Sequence, residues 1–302
     1  MSYTSKLKIV LLACLFLACV SIAPATVAKM TWGAYVGDNV SDIAAFKNAA
    51  ERSPEIVAVF VHWGNNESFP SQYGATVRDQ NKTLLVFWEP LKMGVDCTSD
   101  PRYSYDAIIN GSWDNYINRF IAGAVKYGGP VILVPFEEFN LNEVPWSGVL
   151  NNNTPAKHIQ AWQKLRKAFR AAHADNVKFG WAPNNVGLPH GQGNTLEEYY
   201  PGDADVDYVG ADGFNRGNPW VSFNDTFDNV LTRLEQYPKP VIIFSLGCAD
   251  GPQKAAWIKD LGQVNKFYPK VIGWVWFSVK KERDWRVNSN PESLAAFQEI
   301  TA

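Results

Sequence analysis

Residues 131–146 read VILVPFEEFNLNEVPW. Two adjacent carboxylates, Glu137 and Glu138, follow an apolar run of strand type and precede a loop that carries Asn140, Asn142 and Trp146. Carboxylates are seldom buried without partners, so the pair is expected at the rim of a core. A rigid strand ending in polar residues is where α/β enzymes hold their reacting groups. Adjacent residues on a strand point to opposite faces. If the two carboxyls nevertheless lie close, their like charges raise one pKa and make that group a proton donor. Carboxyl pairs of this kind work on glycosidic bonds, one giving a proton and the other attacking or activating water.

The elements that must position such a pair are legible as an alternation. Strand-like apolar runs occupy residues 31–36, 56–62, 84–88, 131–136, 177–181, 206–211, 241–245 and 271–277. Nearly continuous apolar runs are expected where both faces of a parallel sheet are covered. Helical patterns lie between them. Thr154–Pro155 reads as an N-cap followed by proline at the first helical position, and Ile159, Trp162, Leu165, Phe169 and Ala172 then recur every three or four residues. Similar faces occur in 114–127, 225–236 and 253–267. Eight strand–helix units predict an α/β protein with a single (β/α)8 TIM barrel over residues 29–302. An open doubly wound sheet is the alternative, weakened by the lack of a glycine-rich phosphate loop after the first strand.

A barrel would gather at one end the residues that follow its strands. These include Trp88 and Glu89, Glu137, Glu138 and Asn140, then Asp212 and Asn215, Ser245 and Asp250, and Trp276. The set is acidic, amide-rich and rich in tryptophan, whose flat faces suit the apolar faces of sugar rings. Four histidines are scattered without metal-ligand spacing, and no G-x-S-x-G nucleophile elbow occurs. No metal or cofactor is therefore expected. A net charge of −2 gives no reason to expect a nucleic-acid partner. The expected partner is a polysaccharide or oligosaccharide.

The N-terminus has the form of a targeting segment. Lys6 and Lys8 precede the apolar run 9–23, and small residues follow through Ala28. Residues 1–28 are read as a signal peptide, and the mature chain as secreted, with no membrane association. It would keep two cysteines, Cys97 and Cys248, either bridged or free.

Several segments together resemble glycoside hydrolase family 26, the β-mannanases and their relatives. PFEEFNLNEVPWSG is similar to that family's P-F-H-E-M-N-x-x-W-x-P-W, LLVFWEP to its W-E-P strand, INGSWDNYINRF to its G-x-Y-D-x-Y-I helix start, and FGWAPN to its W-x-P-N strand. YYPGDADVDYVGADGFN and VWFSVKKERDWRVNSNPESLAAF resemble its later segments in the same order. The resemblance implies a (β/α)8 barrel directed at β-1,4-mannan or a related β-glycan. It places Glu138 on the acid/base, Trp276 on the indole under the sugar at the cleavage point, and Trp146 on a tryptophan of the following loop. Asn140, Phe214, Asn215 and Trp88 are further expected substrate contacts.

The same resemblance exposes departures. Ser245, in PVIIFSLG, occupies the place of the nucleophilic glutamate; Glu137 replaces a histidine and Phe214 a tyrosine. A retaining hydrolase needs two carboxyls about 5–5.5 Å apart. Serine brings no carboxylate, and no neighbouring histidine is there to activate it. Two expectations follow. Either the protein is a hydrolase that uses Glu138 with a replacement carboxylate from Glu137, Glu89, Asp212 or Asp250, or it is a glycan-binding barrel that has lost its nucleophile.

Overall fold

The computed structural model describes residues 29–191 and 193–302. The signal peptide expected at 1–28 lies outside the described residues. Eight strands form, β1 (Thr31–Tyr35), β2 (Ile56–His62), β3 (Thr83–Glu89), β4 (Val131–Pro135), β5 (Val177–Trp181), β6 (Tyr208–Asn215), β7 (Val241–Cys248) and β8 (Val271–Phe277). They pair in chain order into a closed parallel barrel, β8 returning to β1. The expected (β/α)8 architecture is what the chain adopts.

Period-2 alternation divides each strand between two apolar layers. Ala58, Leu85, Phe87, Val134, Phe244 and Val275 pack inside the barrel. Their strand neighbours, among them Val57, Val86, Leu133, Ile243 and Trp274, join the larger core under the helices. Gly180 and Gly210 leave room for the Phe244 ring: a Cβ at either would stand within 2.6 Å of it. Phe244 thus fills the barrel centre beneath the residues at the strand ends.

The outer layer consists of α1 (Val40–Ala50), α2 (Ser71–Arg78), α3 (Tyr105–Ile109), α4 (Asp114–Tyr127), α5 (Pro155–Ala171), α6 (Phe223–Leu234), α7 (Lys254–Leu261), α8 (Val264–Phe267) and α9 (Pro291–Ile300). Helix α5 starts as its sequence predicts, with Thr154 Oγ1 accepting from the Lys157 amide at 3.2 Å and proline in the first turn. The run 253–267 is divided at Gly262 into α7 and α8. Between β5 and β6 the connection contains two short 3-10 turns, at Leu196–Tyr199 and Asp203–Asp205, in place of a helix.

Two irregularities matter for the strand ends. The β6–β7 register shifts between Ala211 and Asp212, and β7 slips against β8 between Ile243 and Leu246. Bulges of this kind re-aim side chains beside active sites. Here Phe244 points into the barrel while Leu246 joins the outer core, and Ser245 between them lines the cavity described next.

Candidate active site

A cavity of about 200 Å³ opens at the C-terminal ends of the strands. Phe60, Phe87, Phe214, Phe277 and Trp285 form its aromatic walls, and Glu89, Glu137, Glu138 and Asp212 are its carboxyls. Ser245 lies on the β7 side, and Arg216, Lys281 and Glu282 stand at the exposed rim. A larger recess of about 490 Å³ lies at the opposite end of the barrel, where Thr31, Thr83 and Val131 begin their strands. In barrels of this type chemistry belongs to the C-terminal face.

Glu137 and Glu138 are positioned by a sharp turn beyond β4. Phe136 and Glu138 both adopt the left-handed backbone region, with φ of 59° and 55°. That conformation costs an L-residue about 1–2 kcal/mol, and such strain persists where surrounding contacts over-determine it. The Glu138 amide donates to the Ala182 carbonyl at 2.8 Å, and Trp146 Nε1 donates to the Glu137 carbonyl at 2.7 Å. Asn140 closes the arrangement against the loop after β5: its Nδ2 donates to the Asn184 carbonyl at 2.9 Å, and its Oδ1 accepts from the Asn184 amide at 2.8 Å.

The turn sends the carboxyls into different surroundings within one cavity. Glu138 is half-buried and its Oε1 accepts from Asn184 Nδ2 at 2.7 Å. Burial raises its pKa; the Asn184 bond opposes this and the Glu89 charge adds to it. Glu137 is 6% exposed and its Oε2 has no hydrogen-bond partner. Burial pushes its pKa well up, reinforced by the charge of Glu89, a hydrogen bond shared with Glu89, and Asp212. Asp212 is 1% exposed, with Oδ1 unpartnered. Burial and then the Glu138 charge raise its carboxyl well above the ordinary range, against a backbone hydrogen bond from Ser245. Three neighbouring carboxyls are therefore biased toward carrying protons.

Glu89 has a different partner. His62 Nε2 lies 2.9 Å from Glu89 Oε2, and His62 Nδ1 lies 3.1 Å from Glu67 Oε2. Burial works against a charge on His62, but the hydrogen bond and charge of Glu89, with Glu67 behind, raise its pKa overall. Among the described residues no cluster of three or more His, Cys, Asp and Glu is arranged to hold a metal ion.

The remaining expected contacts are distributed unevenly. Phe214 lines the cavity, its ring edge-to-face with Trp285 at 5.1 Å. Trp276 does not. It is completely buried on the helix side of β8, packed against Trp257 and Phe297, with Nε1 donating to the Trp285 carbonyl at 2.7 Å. Strand alternation explains the correction: Val275 and Phe277 face inward, so Trp276 between them faces out. The indole on the cavity is Trp285, from the loop after β8, whose buried Nε1 has no protein partner.

Trp88 is likewise turned toward the helices, stacked on Phe120 and bonded through Nε1 to the Tyr116 hydroxyl at 3.0 Å. Trp146 and Asn140 shape the β4 turn without lining the cavity. Asn215 is fully buried, its Oδ1 accepting from the amides of Gly217 and Val221. Asp250 lies outside the cavity, accepting from Ser289 Oγ at 2.8 Å and Asn290 Nδ2 at 2.6 Å. It drops out as a replacement carboxylate. Cys97 and Cys248 are free and buried.

Arg216, Lys281, Glu282, Trp285 and the His62–Glu67 pair were not singled out from sequence. Only His62 and Glu67 had a local signal, as a histidine ending a strand with a glutamate five residues on.

Comparison with known proteins bears on this geometry. The sequence profile of glycosyl hydrolase family 26 matches residues 39–299. The chain belongs to glycosyl hydrolase family 26. The family 26 chain is 34% identical over 281 residues to endoglucanase H of Acetivibrio thermocellus, an alignment covering 88% of this chain and 30% of that protein. It thus spans about a third of that relative's length. Its fold is similar to an endo-β-1,4-mannanase double mutant of Cellulomonas fimi, with a TM-score of 0.70 at 14% identity over 91% of this chain and 70% of the other. It is also similar to the mannanase man26 of Bacillus subtilis, with a TM-score of 0.64 at 16% identity over 89% and 84% of the two chains. At these identities the structural likeness is one of fold. Among the described residues no helix is long and apolar enough to cross a membrane.

Proposed function

We propose that this family 26 barrel is a secreted glycoside hydrolase acting on β-1,4-mannan or a related β-glycan, with Glu138 as the proton donor. Residues 1–28 direct its export, and the mature chain begins at Lys29. The observation that carries the reading is the setting of Glu138: a burial-raised carboxyl, fixed by Asn184 in a strained turn at the mouth of the barrel. In the reaction Glu138 gives its proton to the glycosidic oxygen as the bond to the anomeric carbon breaks. Water adds to that carbon and loses its proton to a second carboxyl of the same cavity, whichever of Glu89, Glu137 and Asp212 is ionised when substrate is bound.

A second reading has its own observation. Ser245 is the β7 residue that lines the cavity, and no β7 carboxyl does; the resemblance to the family would put the nucleophile at that position. A barrel that binds glycan without cleaving it would present the same walls.

One experiment separates the two. The mature chain and Glu138→Gln are incubated with β-mannan and a small panel of β-glycans, and released reducing ends are measured. The hydrolase reading expects release by the wild type and a loss of about 100-fold or more in the mutant, the usual scale for a general acid. Glycan binding without release, with turnover appearing in Ser245→Glu, would establish the binder in its place.

A further inference from the structure

We propose that the cavity receives the end of a glycan chain and not its interior: the hairpin 279–285 closes it on the β6–β8 side, and the rest of the chain leaves through a gap between β1 and β2. The inference rests on the reading of the cavity as a glycan site and deepens it. At about 200 Å³ the cavity is smaller than the about 300–1,000 Å³ of sites that enclose drug-sized ligands, and it has room for one sugar ring. Glu137 Oε2, Asp212 Oδ1 and Trp285 Nε1 are buried without a protein partner on residues that line it. Unpaired buried polar atoms are costly, and a ring bearing several hydroxyls supplies donors and acceptors for all three.

Residues 279–285 form a tight hairpin beyond β8. The Trp285 amide donates to the Val279 carbonyl at 3.0 Å, Lys280 bridges Asp284, and the Lys281 amide donates to the Arg283 carbonyl at 2.9 Å. The tip reaches the loop after β6, where Arg283 Nε donates to the Arg216 carbonyl at 3.1 Å and Glu282 lies 3.7 Å from the Arg216 guanidinium. Strand β7 lies between β6 and β8, so the hairpin spans its end. Phe214 and Trp285 meet over Gly247 of β7: a Cβ there would stand 3.0 Å from Phe214 and 3.2 Å from Trp285. The exposed ion pair adds little to the closure. The hairpin is held at its base by the buried Lys254, whose Nζ donates to the carbonyls of Asp284 at 3.3 Å and Arg286 at 2.8 Å.

The opposite side is open. In the eight-strand order β2 stands across the barrel from β6. Strands β1 and β2 pair only at Gly33–Ile56 and Ala34–Val57, although β2 continues to His62. Beside the unpaired stretch lies a recess of about 960 Å³, with Asp38, Asn39, Ser41, Asn66, Glu67 and Gln72 in its lining. Carboxyl, amide and hydroxyl groups of this kind pair with sugar hydroxyls as acceptors and donors. Phe60 borders both the recess and the cavity, and so joins the two along β2.

The test titrates the mature chain calorimetrically with short, medium and long size fractions of β-1,4-mannan and of a β-glucan, and reads the number of protein molecules bound per chain. That number should stay at one for every length. Reducing the hemiacetal end to an alditol, or methylating the terminal hydroxyl at the other end, should abolish binding in one case and spare it in the other. If the wild type turns over, reducing ends should accumulate with little fall in viscosity. Deleting Lys281–Arg283 leaves Lys280 and Asp284 as the turn between Val279 and Trp285, and the number bound per chain should then rise with length. Gln72 is exposed, and Gln72→Trp should fill the recess. It should weaken binding of β-1,4-mannohexaose and the matched glucan about tenfold, the scale of one or two hydrogen bonds, while sparing the disaccharides.

Wild-type protein whose number per chain rises with length, indifferent to both end blocks, overturns the chain-end inference and leaves the glycan reading standing. A deletion variant that still binds one per chain overturns the hairpin as the closure, and an unaltered hexasaccharide affinity in Gln72→Trp overturns the exit between β1 and β2. No glycan bound or cleaved at any length overturns the glycan reading and this inference with it. Should the deletion variant fail to fold, the wild-type stoichiometry and the end blocks decide the same question.

Discussion

The two tryptophans near the end of the chain divide labour in a way that only side-chain direction reveals. Trp276 is enclosed by Trp257, Phe297 and the Lys254 ammonium, 5.9 Å from its ring. Trp285 lies against Phe214 and the cavity. Trp276→Ala should therefore cost about 3–5 kcal/mol of stability, as large-to-small changes in cores do, read as a lowered denaturation midpoint. Trp285→Phe, a smaller truncation of a buried ring, should cost less stability than that yet weaken glycan binding, because Trp285 lines the cavity. Comparable binding losses with unchanged stability in both mutants would reverse the assignment. Residue type alone could not separate the two. Glu138 and Phe214 were identifiable because they sit in recognisable segments. Trp285 lies in a recognisable segment too, but in its polar loop, where no period shows which way a ring points, and only the parity of β8 shows that Trp276 turns away. Ser245 reached the cavity through a bulge that strict alternation does not foresee.

At the scale of elements, strands and helices were legible because their periods are local, while the loop after β8 was not, because distant groups hold it. Lys254 at the start of α7 is fully buried. Its Nζ donates to the carbonyls of Asp284 at 3.3 Å and Arg286 at 2.8 Å and to Ser289 Oγ at 3.0 Å. Asp250 latches the next turn through Ser289 and Asn290, and these bonds hold its carboxyl below the usual range. The acid that looked like a replacement carboxylate is a loop clamp. Burial lowers Lys254 to about 8, against the nearby charges of Asp250 and Asp284, so the amine still carries its proton at neutral pH. Lys254→Met should leave the Asp284 carbonyl without its donor, while the Arg286 carbonyl keeps the Ser289 amide at 3.2 Å, costing about 1–3 kcal/mol for the unpaired group. The expected readout is faster amide hydrogen exchange over residues 281–290, with the β1–β4 half unchanged. Uniform protection across both halves would show that the clamp is dispensable.

At the scale of the whole molecule, buried titratable groups set opposing slopes of stability against pH. His158, in α5, is fully buried among Phe136, Phe139, Trp162 and Tyr199, bonded through Nδ1 to the Tyr105 hydroxyl at 2.7 Å. Burial pushes its pKa from 6.5 down to about 3. The unfolded chain therefore binds a proton that the folded one refuses, and stability present above about pH 6.5 drains away as pH falls toward 3. The limit is about 1.4 kcal/mol per pH unit. Glu137 and Asp212 act in the opposite sense, because their folded pKa values lie well above the ordinary values of 4.5 and 3.8. Their contribution is complete below those values and is lost as pH rises toward their folded ones. In denaturant midpoints from about pH 3 to about pH 9, His158→Gln should flatten the acid limb. Glu137→Gln or Asp212→Asn should flatten the alkaline decline and leave the protein more stable than wild type at neutral pH. If both carboxyl mutants were instead less stable at neutral pH, the buried acids would not be the protonated, burial-strained groups that their surroundings indicate.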